Sequence, residues 1–116
     1  MKMEVEKKKE FLNSFVVELK RGTLTLAVLS QLHVPQYGYS LLETLVGKNV
    51  EIESNTLYPL LRRLEKQEVL TSQWDTSESR PRKYYKLSDF GFEIYESLKK
   101  EYLGSIRIMD EILKEE

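Results

Sequence analysis

Apolar side chains in the first twenty residues fall at Phe11, Leu12, Phe15, Val16 and Leu19. Steps of one, three and four residues predict an amphipathic helix. The Lys7-Lys8-Lys9 run before it is expected to be solvated. Gly22 interrupts the pattern and predicts a kink or a boundary. From Thr23 to His33 the chain is apolar nearly all round, as a central buried helix is. Pro35 discourages its continuation. After a short Tyr37-Gly38-Tyr39 junction, Leu41, Leu42, Leu45 and Val46 return to helical spacing. Gly47 is expected to end this helix as a left-handed cap. Two helices joined by a short Gly-containing link form the first half of a helix-turn-helix pattern.

Residues 50–53 are too short to classify, and Ser54 is the expected N-cap of a third helix. Leu57, Leu60, Leu61 and Leu64 make one apolar stripe at i, i+3, i+4 and i+7. The opposite face carries Asn55, Pro59, Arg62 and Lys66, flanked by Tyr58 and Arg63. Pro59 is tolerable because it lies near the helix start. Leu70 to Trp74 alternates apolar and polar, and Lys83 to Leu87 is aromatic-rich and strand-like. With the polar loop between them they predict a β-hairpin that must pack on the helices before it. Ser88 is the expected N-cap of the last helix, with Asp89 favourable in its first turn. There Tyr95, Leu98, Tyr102, Ile106, Met109 and Leu113 repeat with steps of three and four over about 26 residues, roughly 39 Å. Such a helix projects beyond a small domain. A second copy of the chain is the economical cover for its stripe, so these six residues are the expected dimer interface. The expected fold is mainly α with a small β-hairpin. Residues 1–87 form a winged helix-turn-helix with an N-terminal helical extension, and 88–116 a C-terminal dimerisation helix.

Composition narrows the function. With 116 residues and 41% apolar content, one soluble domain with its own core is expected. The absence of cysteine excludes disulfides and thiol chemistry, and a single histidine, His33, excludes a multi-histidine metal site. No metal or other cofactor is expected. The longest apolar run is Leu26–Leu29, so no membrane span or signal peptide is expected and a cytoplasmic protein is the simple reading. The net charge of -1 hides an asymmetry: residues 1–21 carry +2, 22–55 carry -2, 56–87 carry +3 and 88–116 carry -4. Residues 79–88 hold four basic residues and no acid. A basic zone inside an acidic protein suggests one face built for an anion.

That zone coincides with the third helix and the hairpin. A helix start can approach base edges in the major groove, while a wing carrying Arg80, Arg82, Lys83 and Lys86 can reach phosphates or the minor groove. Each cluster alone could be a solvated surface; their joint occurrence on adjacent elements favours DNA. Tyr84 and Tyr85 are expected to pack the hairpin, and His33 to be structural. Trp74 is expected in the core or an interface, or else lining a ligand cavity. The rival reading is a winged-helix interaction module without DNA binding, motivated by the acidic C-terminal part. No nucleophile–base set, phosphate-cradling loop or metal cluster supports an enzyme.

The stretches LKRGTLTLAVLSQL (19–32), YGYSLLETL (37–45), NTLYPLLRRLEKQEVLTSQW (55–74) and RPRKYYKLSDFG (80–91) resemble the PadR-like transcriptional regulators. The pairing of TLYPLLRRLE with RPRKYYKLS at this separation is highly specific, and the short C-terminal part looks like the subgroup with one long final helix. The resemblance implies a homodimeric repressor that binds a pseudo-palindromic double-stranded operator. It implies operator contacts from Asn55, Thr56, Tyr58, Pro59, Arg62 and Arg63, with Lys66 on the same helix face, and from Arg80, Arg82 and Lys83 on the wing. It also implies release by a small aromatic effector or a stress signal. Effector residues vary between members and have no motif, so Trp74, Tyr102 and Met109 are taken from this chain alone as the ligand residues to test. Two positions depart from the family pattern. Tyr37 replaces the usual His and should leave the turn intact, since Gly38 remains. Glu68 replaces the usual Gly, so the third helix is expected to end differently or run one turn longer.

Overall fold

The computed structural model describes residues 1–114. Its elements in chain order are α1 (Lys2–Ser30), β1 (Gln36–Tyr37), α2 (Gly38–Gly47), α3 (Ser54–Lys66), β2 (Leu70–Asp75), β3 (Arg82–Leu87) and α4 (Asp89–Leu113). The fold is mainly helical, with a small three-stranded antiparallel sheet in the order β1-β3-β2 and a long C-terminal helix.

The core lies where α1, α2 and α3 meet the sheet. Val28, Leu29 and Leu32, Leu41 and Leu45, and Leu57, Leu61 and Leu64 interlock with Leu70, Tyr85 and Leu87, and Tyr95 of α4 closes the cluster. The α3 stripe is buried as its spacing requires. At about 25 cal/mol per Å² of buried apolar surface, each such leucine contributes about 1.5–3 kcal/mol to holding α3 in this rotation. Ser88 caps α4 through its Oγ, which accepts the Gly91 amide at 2.8 Å and donates to the Glu68 carbonyl at 2.6 Å. One hydroxyl thereby joins the end of the α3–β2 connection to the start of α4.

Several details differ from the sequence-based expectation. The first two predicted helices are one, because Gly22 sits inside α1 without breaking it. Glycine costs an α-helix only about 1 kcal/mol, which the flanking turns outweigh. The expected hairpin is a three-stranded sheet: β1 adds Gln36 opposite Tyr85 and Tyr37 opposite Tyr84. Two residues are too short a run to show strand alternation. Gly47 is the last residue of α2, not a left-handed cap; Asn49, with φ 67°, takes that conformation. Asparagine tolerates it better than most residues. Glu53 is the N-cap of α3 and Ser54 its first helical residue, with no side-chain cap bond at that end. Pro59 is therefore the sixth residue of α3, in the second turn. The helix has no N–H there to bond the Asn55 carbonyl four residues back. Trp74 is 61% exposed and not in the core.

The Glu68 departure leaves α3 ending at Lys66, with no extra turn, because Glu68 itself adopts φ 64°. A residue with a Cβ pays about 1–2 kcal/mol for that conformation. Glu68→Gly is therefore expected to raise the unfolding free energy by roughly 0.5–1 kcal/mol after the entropic cost of glycine. Urea denaturation of the two proteins checks this.

Candidate nucleic-acid interface

Burial of the leucine stripe turns the other side of α3 to solvent. Asn55, Pro59, Arg62, Arg63 and Lys66 are exposed on it, while Thr56 is exposed on its flank and lines the cleft toward α1 and α4. Tyr58 is half-buried, and its ring lies over Gly38. A Cβ built on Gly38 would overlap the Tyr58 ring, so this glycine leaves the space in which that ring lies.

The wing carries two different faces. Pairing of β2 with β3 sets Ser72 opposite Tyr85 and Trp74 opposite Lys83, on the face that turns toward α3. There Glu65 of α3 accepts a hydrogen bond from Lys83 Nζ at 2.8 Å and another from Ser72 Oγ. These bonds, with the Lys83 charge, hold the Glu65 carboxyl below its ordinary range, while Glu65 holds the Lys83 ammonium above its own. Lys83 also lies over the Tyr85 ring, 5.2 Å from its centre. Of the wing residues expected at DNA, Lys83 is thus already engaged by α3, while Lys86 is exposed.

The opposite face of β3 presents Arg82. Its guanidinium carbon stands 4.7 Å from the centre of the Tyr37 ring, and Tyr37 meets Tyr84 edge-to-face at 5.5 Å. Glu78 approaches Arg82 at 4.0 Å, with both side chains largely exposed. A pair in that setting contributes little and is easily exchanged for a phosphate. Arg80 is exposed in the loop between β2 and β3.

Sequence reasoning missed Glu65, Ser72 and Tyr37. Glu65 and Lys83 are eighteen residues apart, and only the hairpin register could have revealed that Lys83 shares a face with Ser72 and turns inward.

The remaining expected residues separate. Tyr95 is buried and Leu98 half-buried in the chain's own core, while Tyr102, Ile106, Met109 and Leu113 stay exposed. Of the three effector candidates, Trp74 sits on the wing and Met109 near the end of α4. Only Tyr102 lines the open cleft of about 770 Å³ between α1, α4 and residues 49–51. His33, itself exposed, meets Tyr95 edge-on at 5.0 Å and Phe92 at 5.8 Å. Among the described residues no cluster could hold a metal ion, and no helix is long and apolar enough to cross a membrane.

Residues 25–97 match the model of the transcriptional regulator PadR-like family. The chain belongs to the PadR-like family. A crystal structure of a PadR family transcriptional regulator from Eggerthella lenta is 40% identical, with 96% of this chain and 99% of that one covered and a TM-score of 0.88. A Streptococcus transcriptional regulator is 28% identical over 83% of this chain and 97% of its own, with a TM-score of 0.75. An uncharacterised Lysinibacillus sphaericus protein is 31% identical over 98 residues, 80% of this chain and 90% of the relative. This PadR-like protein is accordingly a DNA-binding transcriptional regulator and not an enzyme.

The shift of Glu65 has a direction in pH. Because its folded value lies below the unfolded one, its stabilising effect is complete above the unfolded carboxylate range, near about 4.3, and is lost as pH falls through the folded value. The stability difference between wild type and Glu65→Gln should therefore be flat from pH 7 to 5 and shrink below about 4.3. Thermal unfolding across that range measures it.

Proposed function

We propose that this PadR-like regulator is a homodimeric repressor that reads its operator with the outer face of α3 and holds the flanking backbone with the wing. The observation that carries this reading is the shared exposure of Arg62, Arg63 and Lys66 on α3 with Arg80 and Arg82 on the wing. In this reading the start of α3, with Asn55, Thr56 and Pro59, approaches base edges, and Tyr58 supports that approach from its seat over Gly38. Arginine suits the contacts because its planar fork meets phosphate or guanine through two parallel hydrogen bonds. The interaction-module alternative leaves these cations without a role.

The dimer rests on two uncovered apolar faces. Phe11, Leu12 and Phe15 of α1 are more than half exposed, and so are Leu103, Ile108, Ile112 and Leu113 of α4. Of the first twenty residues of α1, all but Val16 are exposed. The opposite charges of the two ends, +2 for residues 1–21 and -4 for 88–116, favour packing α1 of one protomer on α4 of its partner. In this arrangement residues beyond Leu98 serve the dimer, while the first turns of α4 belong to the core of 1–87. A planar aromatic effector would enter the cleft beside Tyr102, and binding there would alter how α4 stands against α1. The cytoplasm is the compartment in which such a repressor meets its operator.

Arg62→Ala and Arg82→Ala are each expected to weaken operator binding by about tenfold, or roughly 1.4 kcal/mol, with unchanged thermal stability. Fluorescence anisotropy with labelled duplex measures this; wild-type affinity in both variants would refute the assignment. Phe15→Asp and Ile106→Asp should each shift the protein from dimer to monomer in sedimentation equilibrium. Dimers in both would place the interface elsewhere.

A further inference from the structure

Glu65 is an acid on the helix that the proposed function sets against DNA, where an unpaired carboxylate would repel phosphate. Among the described residues it is also the one that bonds α3 to both wing strands: Lys83 of β3 through Oε1 at 2.8 Å, and Ser72 of β2 through Oε2. Both members of the ion pair are shielded, with about 30% of each side chain exposed. Beyond this point the hairpin runs out to Asp75 and Arg82 and to an exposed loop, with no further hydrogen bond to α3 among the described residues. The hairpin is therefore held at its base by the core leucines and at mid-length by Glu65.

We propose that Glu65 is a positioning residue for DNA binding: by bonding Lys83 and Ser72 together it holds the wing at one angle to α3, so that both reach the duplex at once. This deepens the proposed function and rests on it. Two linked binding elements gain affinity only when their geometry lets both engage, and holding that geometry beforehand avoids the cost of ordering it on binding. Lys83 acts here through Glu65 and not as a phosphate contact. The carboxylate's own repulsion of DNA is cancelled by the ammonium it holds.

The sign of one substitution separates this role from simple electrostatics. Glu65→Gln removes a negative charge near DNA and frees the Lys83 ammonium, so electrostatics alone predicts tighter binding. Positioning predicts weaker binding, by about five- to tenfold. The charge-reversed protein carrying both Glu65→Lys and Lys83→Glu has the same net charge as wild type and can re-form the pair. It should bind more tightly than the product of the two single effects allows.

A second readout needs no DNA. Trp74 is the only tryptophan and lies on β2 of the wing. Its time-resolved fluorescence anisotropy should show a larger nanosecond amplitude in Glu65→Gln than in wild type. The test is operator binding by wild type, Glu65→Gln, both reversed single variants and the double variant, with circular dichroism confirming the fold and Trp74 anisotropy measured on each. Weaker binding by Glu65→Gln, coupling in the double variant and a looser wing support the proposal. Equal or tighter binding by Glu65→Gln, additive reversed variants or an unchanged Trp74 amplitude overturns it. Failure of wild type itself to bind any duplex would count against the proposed function, and the Trp74 comparison would still decide whether Glu65 holds the wing.

Discussion

The burial of four leucines on one side of α3 is the constraint from which the rest follows. Leu57, Leu60, Leu61 and Leu64 occupy a single stripe, and the core offers one place for it. A rotation of α3 that turned Arg62 inward would expose these leucines and bury a charge, each costing several kcal/mol. The polar face is therefore fixed by what the apolar face must do. On one side Gly38 leaves room for the Tyr58 ring. The wing is set on the other side, its base held by Leu70, Tyr85 and Leu87 and its middle by Glu65.

This arrangement divides the basic residues by role. Arg62, Arg63, Lys66, Arg80 and Arg82 keep their charges at the surface. Lys83 spends its charge on a carboxylate inside the molecule. The stack of Arg82 on Tyr37 presents a guanidinium with less rotamer freedom than a free arginine has, which lowers the entropic cost of fixing it on a phosphate. Tyr37 is the N-cap of α2, and the turn through Gly38 is intact with it.

Much of this was legible in the chain. The helical stripes of α2, α3 and α4, the Ser88 cap and the two wing strands follow from local periodicity and hydrogen-bonding chemistry, and the motifs in 55–74 and 80–91 pointed to the right family. What was not legible depends on pairing across distance. A two-residue strand such as β1 exists only because β3 lies beside it. The Glu65–Lys83 bond requires the hairpin register. The continuity of α1 through Gly22 reflects a glycine cost too small to break a 29-residue helix. Left-handed positions fell at Asn49 and Glu68, not at the expected glycine, because the chain's path demanded the turn there. Trp74 misled because alternation assigns a face but cannot say how far a hairpin extends past its support.

The central claim is that the outer face of α3 and the wing together bind duplex DNA. Its most direct test is a titration of the wild-type protein with DNA from immediately upstream of its own coding sequence, beside a scrambled duplex of equal length, over a range of salt concentrations. The account predicts tighter binding to the upstream DNA, with a log-log salt slope of about -0.9 for each phosphate neutralised. Absence of binding to either duplex at low salt, by a folded dimer, would contradict it.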